Sequence, residues 1–411
     1  MGPMDLADWL ASPAAEGALA SADEAVAQHP GDPLAAGTQV RRAHLDITPE
    51  QAAAALDQAH LRELARHRYG IDTPGLLLTR DGLEQATRPA VAARRAQAVR
   101  ASGAQRVLDL TAGLGFDVRA FVDAGLEVIA VERDRATARF LAHDVPGAEV
   151  VVADATEPET LAELLSRLGP ADVVFVDPAR RDPAGPRGLA TGRARTERDP
   201  ARWSPPWPFV MSLPHPRVAA KVAPSFAAPP GWQAEWTSVD RTVVECALYS
   251  WPVLAHPRQA ALISAGGSRV IEGSDLPATV APALGAFVHE PDPALLLAGA
   301  LPAVMRACPG TGLLDTQSTW LSGDTLPEPY LGLRSYRVVT EVGGSTRQQR
   351  ALLARHGVDR LVVKSRDTAD DPRTVLRSLG MREGSGHTLV MTRRAGRALT
   401  LLVRPEPARP A

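Results

Sequence analysis

The first hundred residues place apolar side chains at helical spacing within alanine-rich segments, and from about residue 103 the pattern changes to short apolar runs that end in acids. The clearest helix start is Thr48-Pro49-Glu50-Gln51. Thr48 can cap, Pro49 fits the first helical position, and Gln51 can close a capping box. Leu56, Leu61 and Leu64 then fall near one face, and Gly70 is the expected stop. Four strands are predicted beyond this scaffold: Arg106 to Leu110, Glu127 to Val131, Glu149 to Ala153 and Asp172 to Val176. Helical stretches separate them, as a parallel sheet with crossover helices requires. Two further strands are expected at Glu235 to Val239 and Thr242 to Tyr249, with Asp240-Arg241 as their turn. Residues 263 to 333 read as loop-rich, with one helix near Ala294 to Arg306. From Arg334 the order is strand, helix, strand, helix, then two strands split at Ala395-Gly396.

The expected fold class is α/β, in four parts. Residues 1–100 form a helical region, 101–262 a Rossmann-like domain, 263–333 a small ferredoxin-like or loop-rich connection, and 334–411 a basic α/β domain. A chain of 411 residues with 45% hydrophobic content is long enough for two to three cores. No apolar run approaches the roughly 18 residues of a membrane span, and the N-terminus lacks a signal pattern, so a cytoplasmic protein with no membrane partner is expected. Cys246 and Cys308 are far apart and without metal-type spacing, which argues for small buried residues and against a disulfide framework or a metal site.

Charge changes the picture more than composition does. The net charge is −2, yet from Arg334 to Ala411 there are fifteen Arg and one Lys against seven acids. Such asymmetry points to a polyanionic partner for the basic end. A second concentration runs from Arg180 to Arg202, through Arg181, Arg187, Arg193, Arg195 and Arg198, with Trp203 and Trp207 following. Arginine beside aromatics suits phosphate pairing and base stacking, while a solvated proline-rich loop is the plain alternative.

The stretch Val107 to Asp117, VLDLTAGLGFD, sets a strand directly against a loop with Gly113 and Gly115. In a parallel sheet, ligands bind beyond the carboxyl ends of the strands, where their order reverses. A dinucleotide loop would place a third glycine where Val118 stands, which weakens that reading. What remains is an acid at the mouth of each of four successive strands: Asp109, Glu132, Asp154 and Asp177. Like charges gathered in one crevice raise one another's pKa, and a cationic ligand relieves them. S-adenosylmethionine has the right chemistry, with a sulfonium, an ammonium, ribose hydroxyls and an exocyclic amine. In that arrangement Glu132 accepts from the ribose, Asp154 takes the adenine amine, and Asp109 lies near the ammonium.

DLTAGLG, AVERD, VVADAT and FVDPAR resemble the successive motifs of class I S-adenosylmethionine-dependent methyltransferases. LEQATRPAVAARRAQ, VDPARRD, KVAPSF, VVECALYSW, FVHEPDPALLLAGAL and the basic end from RSYRVVTEV extend the likeness across almost the whole chain. They are similar to bacterial methyltransferases with a C-terminal THUMP-like domain. The resemblance implies S-adenosylmethionine as cofactor, RNA (tRNA or rRNA) as substrate, and cofactor contacts at Asp109, Thr111, Gly113, Gly115, Glu132 and Asp154. Thr111 stands where many methyltransferases carry the first glycine of this loop.

Asp177-Pro178-Ala179-Arg180 occupies the place where amino-group methyltransferases of bases carry an acid or asparagine, two prolines and an aromatic. Asp177, Pro178 and Arg180 are therefore the candidate catalytic residues. Arg180 could stack on a base or bind phosphate, and Asp177 could instead cap the following helix. Trp203 or Trp207 could supply the missing ring, though core packing suits both. Two alternatives stay open: a non-catalytic RNA-binding protein, and a ribose 2′-O methyltransferase using a Lys-Asp-Lys-Glu set. Asp177, Lys221 and Glu245 match the order of that set, but an arginine would have to replace the first lysine, and arginine does not act as a base. Gly266-Gly267 and Gly343-Gly344 read as turns, and His215, His256, His289, His356 and His387 as structural or surface residues. Gln85 and Thr87 either close over the methionine end of the cofactor or cap the helix at Pro89.

Overall fold

The computed structural model describes residues 5–72, 74–179 and 197–407. Two compact units emerge, one of Met1–Val222 with Ala247–Val253, the other of Ala223–Cys246 with Leu254–Ala411.

The first unit opens with helices at Leu6–Leu10, Glu16–Gln28, Pro33–Ala43 and Pro49–Leu64. Alanines at Ala18, Ala22, Ala25, Ala52, Ala55 and Ala59 are buried in one core with Trp9, Leu10 and Leu61, so these helices pack with little side chain between them. The box at Thr48 forms as expected: the Gln51 amide donates to Thr48 Oγ1 (3.3 Å) and the Thr48 amide donates to Gln51 Oε1 (2.8 Å). Leu61 is buried and Leu56 and Leu64 pack against the same core. A π turn over Ala65–Tyr69 precedes Gly70, whose φ of 68° ends the helix. Two polar clamps then fix the next segment. Gln58 donates to Leu78 O and accepts from the Leu78 amide, both at 2.8 Å, and Arg62 joins Asp23 (2.8 Å) to Leu76 O (3.0 Å). They deliver the chain to Thr79, where the cavity described below begins.

Five parallel strands follow: β1 (Arg106–Asp109), β2 (Glu127–Glu132), β3 (Glu149–Val152), β4 (Val173–Val176) and β5 (Val218–Val222). Their spatial order is β3-β2-β1-β4-β5, with Val107 opposite Val128 on one side and Val173 on the other. The chain runs outward from β1 to β3 and then returns to the far side of β1. The order therefore reverses between β1 and β4, which opens a crevice at their carboxyl ends. All four residues of β4 are buried, as a strand covered on both faces requires.

In the second unit, β6 (Gln233–Val239) pairs in parallel with β8 (Arg258–Ser264), and β9 (Gly267–Glu272) folds back antiparallel on β8. Strand β7 (Thr242–Tyr249) follows β6 through the expected turn, where Asp240 and Arg241 both take positive φ (47° and 65°). Arg241 is held there by its own guanidinium, which donates to Gly332 O (3.1 Å) and Glu290 O (2.9 Å). The expected single helix from Ala294 to Arg306 is instead two, Pro293–Ala298 and Leu301–Ala307. Gly299 breaks it in the left-handed region (φ 70°), and a Cβ there would stand 2.8 Å from Ser274 O.

A seven-stranded sheet completes this unit. It comprises β10 (Phe287–Pro291), β11 (Gly312–Leu313), β12 (Leu321–Gly323), β13 (Leu333–Glu341), β14 (Arg360–Ser365), β15 (Arg382–Arg394) and β16 (Arg397–Pro405), in the order β11-β12-β10-β13-β16-β15-β14. Side chains alternate between its faces. Leu389 and Leu402 enter the core shared with the helices Thr346–Arg355 and Pro372–Leu379, while Val390, Leu401 and Val403 pack with Trp320 and Tyr336. The last two strands meet at Ala395-Gly396, both with positive φ, as expected.

Candidate active site

A cavity of about 530 Å³ lies at the carboxyl ends of β1, β2, β3 and β4. Asp109, Thr111, Gly113, Gly115, Glu132, Asp154 and Asp177 all line it, together with Gln85 and Thr87. Ala179 and the segment Trp203 to Pro206 form another part of its wall. That segment is held by the backbone: the Ala179 amide donates to Ser204 O (2.7 Å) and the Ser204 amide to Ala179 O (3.0 Å). Trp203 is both things considered for it, a buried ring and part of the wall, while Trp207 meets it edge-on at 6.2 Å. Arg180 and the arginines up to Arg195 lie outside the described residues. Arg198 and Arg202 are exposed. Pro178 follows Asp177 without being part of the lining.

The two glycines of the loop serve different ends. Gly113 has a φ of 54° and open space where a Cβ would project, so it leaves room on the cavity side. Gly115, at φ 80°, starts the helix Phe116–Asp123, and a Cβ there would meet Leu141 Cδ1 at 2.1 Å. Its absence of a side chain therefore seats the helix against Leu141 and Val145. Glu132 closes the loop from the second strand. Its Oε2 accepts from the Gly113 amide at 3.0 Å and its Oε1 from the Asp134 amide at 2.8 Å.

The acids do not share one electrostatic fate, contrary to the expectation of mutual elevation. Burial pushes the Asp109 carboxyl up to about 8; Asp117 and Asp177 add to the rise, and the Thr111 amide and Lys221 oppose it. Asp154 is exposed, and hydrogen bonds from the Thr156 hydroxyl (2.6 Å) and amide (2.9 Å) hold its carboxyl below the usual range. Asp177 is met by a cation that the protein itself supplies. Lys221, on β5, forms an ion pair with Asp177, receives Thr87 Oγ1 as acceptor at 2.9 Å and lies 3.9 Å from Asp117.

Asp117 was the residue least visible in advance. Burial opposes its ionisation, but Arg95, Lys221 and the Thr87 hydroxyl (2.6 Å) outweigh that and hold its carboxyl low. Arg95 pairs with Asp117 and lies 5.1 Å over the Phe175 ring. A chain of charged and polar groups thus runs Arg95, Asp117, Thr87, Lys221, Asp177, of which Asp117, Thr87 and Asp177 line the cavity. Its signal in the sequence was the aspartate two residues after Gly115, together with the arginine in the segment that precedes the first strand. Thr111 adds a further tie, accepting from the Asp177 amide at 2.6 Å.

The strand order, the glycine turn at the switch point and the rim of acids define a Rossmann-like fold of the class I methyltransferase kind. Residues 333–405 match the family THUMP domain-like, and residues 4–65 match a Domain of unknown function (DUF8688). Among curated relatives, the chain is similar to Ribosomal RNA small subunit methyltransferase J of Alkalilimnicola ehrlichii, at 28% identity over 242 residues, 51% of this chain and 89% of that one. Among solved structures it is similar to a "putative methyltransferase" from Porphyromonas gingivalis W83, with a TM-score of 0.68 at 21% identity, covering 95% of this chain and 99% of that one. The chain therefore has the methyltransferase fold and the THUMP-like C-terminal domain that its motifs resemble. Among the described residues no helix is long and apolar enough to cross a membrane, and no group of three metal-ligating side chains occurs.

Proposed function

We propose that this protein is an S-adenosylmethionine-dependent RNA methyltransferase that modifies a base nitrogen held at Asp177. The observation that carries the reading is one cavity at the switch point into which Asp109, Glu132, Asp154 and Asp177 all open. Its donor set fits the cofactor. Asp109 is buried with its carboxyl raised to about 8, which favours a ligand that brings its own positive charge. Gly113 leaves space beside Glu132, and Asp154 offers an exposed acceptor. A volume of about 530 Å³ is in the range of small-molecule sites.

When bound, S-adenosylmethionine supplies a methyl group already activated by its sulfonium, so the protein's share of catalysis is placement. Asp109 receives the ammonium, Glu132 the ribose hydroxyls and Asp154 the adenine amine. Asp177 accepts an N–H of the target base and thereby turns the nitrogen lone pair toward the donor. Lys221 fixes the Asp177 carboxylate from below. The ribose 2′-O alternative needs a lysine that takes a proton from a hydroxyl. Lys221 is 7% exposed, lies outside the cavity lining, and already engages Asp177 and Thr87, which favours a positioning role.

RNA as substrate is supported by the THUMP-like match, by the arginine-rich end, and by the ribosomal RNA named for the curated relative. In this reading the basic C-terminal domain and the Arg180–Arg202 segment grip phosphates, and the protein works in the cytoplasm. The test combines calorimetry with S-adenosylmethionine and transfer of labelled methyl to RNA from cells lacking the gene, followed by mass spectrometry of the nucleosides. Asp177→Ala protein is expected to bind the cofactor normally and transfer nothing; retained transfer removes Asp177 from its role. Label that survives ribonuclease overturns RNA as the substrate.

A further inference from the structure

The second unit contains a cavity of its own, about 790 Å³, which methyl transfer as described leaves unused. It lies among the Asp240-Arg241 turn, the Gly266-Gly267 hairpin tip, and strands β13, β14 and β15.

Four cations line it, Arg241, Arg269, Arg334 and Lys364, against three acids, Asp240, Asp292 and Glu406, and a buried carboxylate just outside the lining faces two of the cations. Glu290, 2% exposed, accepts from Lys364 Nζ at 2.7 and 2.9 Å and from the Tyr336 hydroxyl at 3.1 Å. Arg366 lies 2.9 Å from it and Arg241 4.0 Å. Lys364 stands on the edge strand β14 and Glu290 on β10, four places apart in the sheet order. Neighbouring strands are about 4.8 Å apart, farther in total than a lysine reaches, so the sheet curls until β14 faces β10 and a concave surface results. Arg334, opposite Glu290 in the strand register, and Arg269 on β9 add exposed cations to the cavity lining. The acids present are largely engaged. Asp292 accepts the Ser238 hydroxyl (2.7 Å) and caps the next helix through the Ala294 amide (2.9 Å), and Glu406 accepts from Arg337 (2.9 Å). Asp240 is the exposed carboxylate of the lining.

A cationic surplus alone would suit any anion, but the walls also carry Leu262, Leu326, Pro327 and Pro329. An inorganic ion has no use for apolar surface of that extent. A nucleoside phosphate uses both, with its phosphate on guanidinium groups and its base face on apolar or prolyl side chains.

We propose that this cavity is a nucleoside-phosphate site, with the phosphate at Arg334, Arg269 and Lys364 and the base against Leu262, Leu326 and Pro327. The proposal rests on the RNA-methylation reading only for the source of the nucleotide, which is then a residue of a single-stranded RNA segment held away from the methyl-transfer cavity. The recognition chemistry is the same for a free mononucleotide.

The experiment measures fluorescence anisotropy of a labelled single-stranded RNA heptamer on the full-length protein across a salt series, with AMP as an unlabelled competitor. The variant is Arg269→Ser with Arg334→Ser, both exposed and outside the catalytic machinery; thermal melting shows that it is folded, and S-adenosylmethionine affinity is expected to be unchanged. The variant should bind the heptamer at least tenfold more weakly. The slope of log affinity against log salt should fall by about 1.4, the value for two lost phosphate contacts on a single strand. Competition by AMP at equal nucleotide concentration assigns the site to free nucleotides, and its failure assigns it to the chain. Wild-type affinity and slope in the variant overturn the proposal, as does the absence of binding by both heptamer and AMP. Arginine-dependent binding of AMP without binding of the heptamer would sustain the site and count against RNA as the partner.

Discussion

Cofactor affinity should depend steeply on pH because of Asp109. Its carboxyl is raised to about 8 chiefly by burial, so at neutral pH the empty site holds a proton on Asp109. A ligand ammonium binds best to the carboxylate, which means that the proton must leave on binding. Below its pKa, each unit of pH then changes the apparent dissociation constant about tenfold, the equivalent of 1.36 kcal/mol. Between pH 6 and pH 7.5 the expected gain in affinity is roughly fifteen- to twentyfold, in a window where most of the ligand's α-amino group is still protonated. Calorimetry in two buffers of different ionisation enthalpy should show close to one proton released at pH 6. Asp109→Asn should bind more weakly and lose this dependence. The opposite sign applies to the unliganded fold. The unfolded chain releases this proton near pH 3.8 while the folded one keeps it to about 8. The folded state therefore binds more protons between these values, and its stability falls as pH rises, by up to about 4 kcal/mol from pH 5 to pH 8. Asp144, raised to about 6 by burial, contributes with the same sign over a narrower window. A pH-independent dissociation constant for the wild type would refute the assignment of Asp109 to the ammonium.

Lys221→Met should lower the melting temperature through a loss of about 3 kcal/mol or more, because Asp117 and Asp177 lose a shared cation in a buried setting, and residual transfer should fall with little change in cofactor affinity. Gly115→Ala should cost about 1–3 kcal/mol in urea denaturation, since the added carbon meets Leu141 and the backbone is left-handed. Thr48→Ala should cost about 1 kcal/mol, confined to the N-terminal helices and readable as faster amide exchange there.

What could be read from the chain beforehand is what repeats or punctuates. The capping box at Thr48, the first four strands of the parallel sheet and the Asp240-Arg241 turn follow from local chemistry, and each was found within a residue or two, whereas β5 at Val218–Val222 was not anticipated. The acids at the strand mouths were legible because a strand end is a fixed address in a parallel sheet. Their electrostatics were not. Lys221 reaches Asp177 from a neighbouring strand 44 positions along the chain, and Arg95 meets Asp117 from a helix ahead of the first strand. The first pairing was considered only as part of a Lys-Asp-Lys-Glu set and the second not at all, because both depend on strand order. The break at Gly299 was missed for a related reason: apolar residues continue on both sides of it, and only the approach of Ser274 makes the glycine necessary. Gly115 was read as a ligand-approach residue and lines the cavity; its packing role was not visible, since Leu141 belongs to a helix more than twenty residues away.

The chain contains two lysines, and each stands beside a carboxylate at one of the two cavities. Amine acylation of the native protein thus meets two lysines of unequal access, Lys364 in the lining of the second cavity and Lys221 buried outside the lining of the first. A mass spectrometer that follows acetylation of Lys364 would therefore report occupancy of the second cavity, with the buried Lys221 as an internal unreactive reference, without any label having been engineered.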